Sequence, residues 1–315
     1  MKPTAHAASV SSEDARGAFA VPLTSRHGSR RLALDLFTLA KPRLNLLILL
    51  TTATGLYLAS PAGVAPALLL HTLAGTALVA GGAAALNQAW ERDTDGLMRR
   101  TRARPVAAGR MRPAEGSAFG VLLSIVGLLD LALAVNGLTA AVAALTLGSY
   151  VLVYTPLKRR TSLSTLVGAV PGALPPVIGW TAATGSLTLP ALVLFGIVFF
   201  WQMPHFLAIA WLYREDYAAA GIPLLPVLEP DGRRTGQQAL QYAAALWPVS
   251  LMPAFVGLAG APYVVVATGL GLGFIALSAL FARDRSIPAA RRLFLFSITY
   301  LPLLWGTLIV DRFWI

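Results

Sequence analysis

The chain has 315 residues, 56% of them hydrophobic and 12% charged, with a mean hydropathy of +0.67. A soluble domain of this length carries roughly twice that charge, so a soluble fold is excluded. Cys is absent, which excludes disulfides and thiolate metal sites. The net charge of +11 suggests a nucleic-acid partner, but the placement of the cations speaks against one.

Residues 1–36 contain Ser, Ala, Gly and Arg without an apolar h-region. They read as a disordered cytoplasmic tail ahead of a single membrane domain over 37–315, and not as a cleaved signal peptide. Glu13 and Asp14 weigh against a mitochondrial presequence. Beyond the tail, continuous apolar runs predict about nine helical spans, at 44–60, 66–90, 114–135, 138–157, 163–184, 189–212, 237–259, 262–282 and 291–310. The expected fold is all-α: a polytopic helix bundle around a central cavity open toward the cytoplasmic face. Of the 25 Lys and Arg residues, 24 fall on one face if the spans alternate, and the connections at 61–65, 136–137, 185–188 and 260–261 carry no charge. By the positive-inside rule that face is cytoplasmic, with the N-terminus inside and the C-terminus outside. The charge therefore reports orientation, and no nucleic-acid partner is expected.

The first charged loop follows the second span and reads NQAWERDTDGLMRRTRARP, residues 87–105. In a helix, positions i and i+4 share a face and i+8 continues the row. Asn87, Glu91 and Asp95 would thus present a carboxamide and two carboxylates along one stripe, with Asp93 off to the side. Such oxygen ligands suit Mg²⁺, which usually takes one or two carboxylates together with substrate phosphates. Arginines at 92, 99, 100, 102 and 104 can meet phosphate oxygens. Local ion pairs facing lipid headgroups are the plainer alternative.

Further along, Asp130 is the one acid well inside a span, and a structural bond to a neighbouring helix is its expected role; His71 is read as structural too. The loop YTPLKRRTSLST adds Lys158, Arg159 and Arg160 as an anion clamp. Pro171, Pro175 and Pro176 should kink the fifth span. Span six contains His205 and ends in Glu215 and Asp216, a second acidic pair at the same membrane face. Three loops thus converge on one ligand type: a Mg²⁺-bound diphosphate with its apolar tail in the membrane. His205 lies eleven residues before Asp216, roughly 16 Å along a straight helix, too far to share a metal site. Its imidazole could ligate or orient a bound molecule, or simply join two helices.

NQAWERDTDGLMRRTRARP, YTPLKRRTSLSTLVGAVPGALPPVIGW and WQMPHFLAIAWLYREDYAAAGIPLLP resemble the signature segments of the intramembrane aromatic prenyltransferase (UbiA-like) superfamily. Within it they are most similar to the protohaem IX farnesyltransferases, or haem O synthases. The resemblance runs from about residue 34 to the end. It implies Mg²⁺-dependent transfer of a farnesyl group from farnesyl diphosphate to a vinyl group of haem b, with water addition, giving haem O for terminal oxidases. The site residues it implies are Asn87, Glu91, Asp95 and Asp216 on the metal, with Asp93 between them as a substrate contact. It assigns Arg99 and Arg104, from the likeness of MRRTRARP to an MxRTxxRP run, to the diphosphate together with Lys158 and Arg159. His205 would serve the acceptor. Leu212 stands where other members carry an earlier acid of the second motif. A cell inner membrane setting, with haem A synthase or oxidase assembly factors as partners, belongs to the same implication. A quinone-precursor acceptor, or an anion transporter, are the competing readings.

Overall fold

The computed structural model describes residues 28–312, and its regular elements are all helical, with no strand among the described residues. In chain order they are α1 (Ser29–Leu39), α2 (Pro42–Leu58), α3 (Pro66–Trp90), α4 (Arg92–Leu97), α5 (Pro113–Asp130), a π-helical turn Leu131–Val135, α6 (Gly137–Gly148), a second π-helical turn Ser149–Tyr154 and α7 (Thr155–Leu157). The rest are α8 (Ser164–Ala173), α9 (Pro175–Thr184), α10 (Leu189–Leu212), α11 (Arg214–Ala219), α12 (Leu225–Leu228), α13 (Arg233–Phe255), α14 (Ala261–Asp284) and α15 (Ile287–Asp311). Proline starts most of the long rods: α2, α3, α5, α10, α14 and α15 each have it in the first two positions. There its missing N–H costs nothing and its φ suits the helix.

Seven rods are long and apolar enough to cross a bilayer: Pro66–Trp90, Pro113–Val135, Gly137–Leu157, Ser164–Thr184, Leu189–Leu212, Ala261–Asp284 and Ile287–Asp311. They coincide with seven of the expected spans. The remaining two expected spans fall on α2, which has only 17 residues, and on α13, whose first turns carry Arg233, Arg234, Gln237 and Gln238. Leu46, Leu50, Leu122, Leu129, Leu192, Val265 and Leu303 all point outward, the inside-out surface of a multi-pass membrane protein. The expected tail is corrected in part. Residues 1–27 lie outside the described residues, but from Ser29 the chain is helical, because Asp35 is buried against Arg110 at 2.9 Å and Leu39 is fully buried.

Small residues set how closely the rods approach. The pairs α13–α14 and α14–α15 pack across short connections and α3–α5 across the charged loop that holds α4, while α2–α9 and α10–α15 join distant parts of the chain. At the α2–α9 crossing a Cβ on Gly179 would sit 1.9 Å from the Thr52 carbonyl oxygen, and one on Gly55 2.1 Å from that of Pro176. Close backbone contact of this kind substitutes for the hydrophobic effect, which lipid does not supply between helices. Gly179→Val must therefore prise α2 from α9. We expect a loss of about 3 kcal/mol or more, read as a lowered thermal midpoint in detergent; an unchanged midpoint contradicts this packing.

Two further expectations meet the structure here. Asp130 bonds a neighbouring helix, with Nδ1 of His71 2.7 Å from its Oδ1. The fifth span is broken at Leu174, between α8 and α9, where Pro175 and Pro176 follow in succession.

Candidate active site

The apolar, small-residue end of α3 brings Asn87, Glu91 and Asp95 into the protein. The i to i+4 spacing survives the helix end, since Glu91 N donates to Asn87 O at 2.9 Å and Asp95 N to Glu91 O at 2.8 Å. All three are buried, with Asp95 at 0% and Glu91 at 4% exposure. Asp93 faces out and pairs with its neighbour Arg92, as its place off the stripe predicts.

Each buried acid has its own cation. Lys158 Nζ donates to both Glu91 oxygens, at 2.9 and 3.0 Å. Arg104 Nη1 donates to both Asp95 oxygens, at 2.8 and 2.6 Å. Asn87 donates through Nδ2 to the Thr155 hydroxyl at 3.1 Å and accepts from Lys41 Nζ at 3.3 Å. Buried charges persist only when paired and hydrogen-bonded, and here the signs balance two against two.

Local backbone irregularity puts these groups where they are. The Ser149–Tyr154 stretch widens into a π-helix, a form common at functional sites. The Thr155 hydroxyl then donates to the Tyr150 carbonyl at 2.9 Å and presents its oxygen to Asn87. Tyr150 and Tyr154 stack at 5.3 Å on the same rod, one turn before Lys158. Lys41 adopts a left-handed conformation, φ 50°, ahead of Pro42, which an L residue occupies only at a cost. That turn directs its side chain into the cluster. Burial first, and then the Arg104 guanidinium, pull the Lys41 ammonium down to about 7.

The second acidic loop closes over the first, although its acid stays apart. Met98 packs with Ala210, Tyr217, Ala220, Ile222 and Leu224. Arg100 donates from Nη2 to the Tyr217 hydroxyl at 3.2 Å and lies over the Tyr213 ring at 5.5 Å. Asp216 is 3.9 Å from Arg99 Nε and does not join Glu91 and Asp95 in a carboxylate cage; no group of three metal-ligating His, Asp or Glu side chains forms among the described residues. Arg99 itself is largely exposed. Counted along MRRTRARP, the arginine directly before Thr101 is Arg100, so the match to the family's run falls on Arg100, and Arg100 is also the residue that locks the loops. Arg159 is exposed and makes no ion pair with the acids among the described residues.

Sequence reasoning missed Lys41, Thr155, Tyr150, Tyr154 and the Asp35–Arg110 pair. The two tyrosines carried a signal, since 150, 154 and 158 share one helical face with Lys158. Lys41 carried none, because its burial depends on a backbone turn that no spacing announces. His205 lies on α10 seven residues before its end, about 10 Å along the axis from the charged loops. It packs on α15 beside Ser297 and Phe294.

The donor set of two buried carboxylates and one carboxamide fits Mg²⁺ in its usual mode, in which substrate phosphates complete the shell. It does not fit a closed, all-protein metal cage. Lys158, Arg104 and Lys41 surround these acids with the cationic donors that a metal-bound polyanion requires.

Comparison with known proteins gives the family and the fold. The UbiA prenyltransferase family matches residues 48–300. A protoheme IX farnesyltransferase of Solibacter usitatus (strain Ellin6076) is 48% identical over 88% of this chain and 98% of its own length. One from Myxococcus xanthus (strain DK1622) is also 48% identical, over 89% and 95%. Among solved structures, a digeranylgeranylglyceryl phosphate synthase superposes with a TM-score of 0.77 at 16% identity, covering 90% of this chain and 99% of that one. A UbiA homolog from Archaeoglobus fulgidus bound to GPP and Mg2+ superposes with a TM-score of 0.63 at 16% identity, covering 88% and 99%. The chain belongs to the UbiA prenyltransferase family.

Proposed function

We propose that this protein transfers a farnesyl group from farnesyl diphosphate to a vinyl group of protohaem IX (haem b), with water addition, to give haem O. The observation that carries the reading is the buried cluster of Glu91–Lys158 and Asp95–Arg104 beside Asn87, together with the farnesyltransferase names of relatives 48% identical to this chain. The Archaeoglobus fulgidus homolog is bound to GPP and Mg2+, which supports a prenyl diphosphate with Mg²⁺ as the ligand here.

In this mechanism Asn87, Glu91 and Asp95 hold the metal end of the substrate, and Asp216, now beside Arg99, joins them from the opposite loop only once the substrate is bound. Mg²⁺, when bound there with the phosphates, supplies the electrophilic charge that stabilises a departing diphosphate. Lys158, Arg104 and Lys41 meet the phosphate oxygens, with Arg99 and Arg159 guiding the anion from outside. The allylic C–O bond then breaks, and its electron pair leaves with the diphosphate. The haem vinyl π electrons form the new C–C bond, leaving a cation beside the macrocycle. A water oxygen adds to that cation and gives up a proton to solvent. The apolar helix walls keep other water from the farnesyl cation. His205 serves the acceptor.

In the same reading α2 and α13 complete a nine-span bundle, N-terminus inside and C-terminus outside, in the cell inner membrane with the charged face cytoplasmic. Haem A synthase or oxidase assembly factors are proposed as the proteins that receive the product. Incubation of purified protein with haem b, farnesyl diphosphate and Mg²⁺ should yield farnesylated, hydrated haem by mass spectrometry. Product from a hydroxybenzoate and none from haem overturns the acceptor assignment.

A further inference from the structure

We propose that Ser297 is a positioning residue that fixes the tautomer of His205, leaving Nε2 as an open lone pair aimed to ligate the iron of the acceptor. The proposal rests on the haem-acceptor reading above and follows from a count of protons. Ser297 is fully buried on α15. Its hydroxyl contacts two groups: the Phe294 carbonyl oxygen at 2.6 Å and His205 Nδ1 at 2.7 Å. A serine hydroxyl has one proton to give. The carbonyl can only accept, so the hydroxyl proton goes to Phe294 O. Were it turned toward the imidazole instead, two oxygen lone pairs would face each other at 2.6 Å. His205 Nδ1 therefore carries the proton and donates it to Ser297 Oγ. In a neutral imidazole the other nitrogen then has no proton.

The surroundings hold that ring in one orientation. Trp201 stacks on it at 5.1 Å and 22°, and Phe294 lies against it at 5.2 Å. Trp201 is itself anchored by Nε1 donating to the Ser297 carbonyl at 2.8 Å. Ser297 thus fixes the imidazole through its hydroxyl and the stacking indole through its backbone. Nε2 makes no hydrogen bond among the described residues, yet it is not one of the sealed, unpartnered polar atoms. His205 is half-buried, so its open nitrogen borders free space. A metal-ligating histidine almost always has its second nitrogen hydrogen-bonded in this way, which fixes the ring and raises its basicity.

The test is binding of haem b to the purified protein, read by absorption and by the Fe–His stretch of the ferrous complex, alongside farnesyl diphosphate affinity. His205→Ala should abolish the Fe–His band. Ser297→Ala should shift that band and weaken haem binding about tenfold or more, with farnesyl diphosphate affinity unchanged. Ser297→Thr, which keeps the hydroxyl, should restore both. Should the alanine variant fail to fold, Ser297→Cys supplies a weaker acceptor and should shift the band in the same direction. A band unchanged in Ser297→Ala but lost in His205→Ala overturns the role of Ser297 while leaving the haem acceptor standing. An unmodified protein that binds no haem overturns both.

Discussion

Asp95→Asn will reduce farnesyl transfer by about a thousandfold or more, on the scale expected when a group that stabilises the departing charge is lost. Asp95 is the most buried acid of the cluster, and its two oxygens accept both bonds from Arg104 Nη1. Its backbone oxygen also accepts from the Thr101 hydroxyl at 2.9 Å, so the loop is built around this residue. Asparagine keeps the shape but removes the charge, leaving the Arg104 guanidinium without a counter-ion. Breaking a buried pair from one side costs about 3–5 kcal/mol, so the variant should also melt at lower temperature. The double change Asp95→Asn with Arg104→Gln removes both charges and should recover stability without recovering activity. That split separates the metal role from the structural one. Turnover of Asp95→Asn within tenfold of the unmodified protein removes Asp95 from the metal shell.

Lys158→Met should have a less intuitive result: tighter binding of a divalent metal offered alone. Without substrate, Lys158 Nζ occupies both oxygens of Glu91, and only a small part of either side chain is exposed. A metal ion arriving by itself must displace an ammonium from that carboxylate. A metal arriving with a diphosphate need not, because the phosphate oxygens give Lys158 a new partner. Binding of the metal and of the anion is therefore coupled through this ion pair. Methionine fills the volume without the charge. Mn²⁺ affinity, measured by electron paramagnetic resonance without phosphate, should rise about tenfold, corresponding to a coupling of about 1.4 kcal/mol. Metal-free pyrophosphate should bind more weakly. Weaker Mn²⁺ binding in Lys158→Met contradicts the exchange.

The apolar rods and the first acidic stripe were readable because they rest on strong, local rules. Apolar length marks the rods, and i to i+4 spacing places Asn87, Glu91 and Asp95 together even where α3 gives way to α4. Asp130 bonds a neighbouring helix as its depth foretold, whereas Asp93, expected as a substrate contact, faces out onto Arg92. What was not readable depends on tertiary context. Lys41 enters the cluster through a left-handed turn, and Thr155 through a π-helical one; neither has a periodicity. The segment from Ser29 read as tail because residues 1–36 hold no apolar h-region, yet the Asp35–Arg110 pair and the buried Leu39 hold it as a helix. Arg100 and Arg99 are adjacent in sequence and diverge in space, one locked on Tyr217 and the other exposed near Asp216. Asp216 was expected to pinch a metal from the second loop, yet it rests beside Arg99.

The measurement that bears most directly on the diphosphate site is a structure of the full chain with Mn²⁺ and the unreactive farnesyl thiodiphosphate, with the metal located by anomalous scattering. The expected result is a metal peak held by Glu91 and Asp95, Lys158 and Arg104 turned from the acids onto phosphate oxygens, and the farnesyl chain running into the bundle toward His205. A metal peak at Glu215 or in the Arg99 loop, with the Glu91–Lys158 and Asp95–Arg104 pairs still closed, would contradict it.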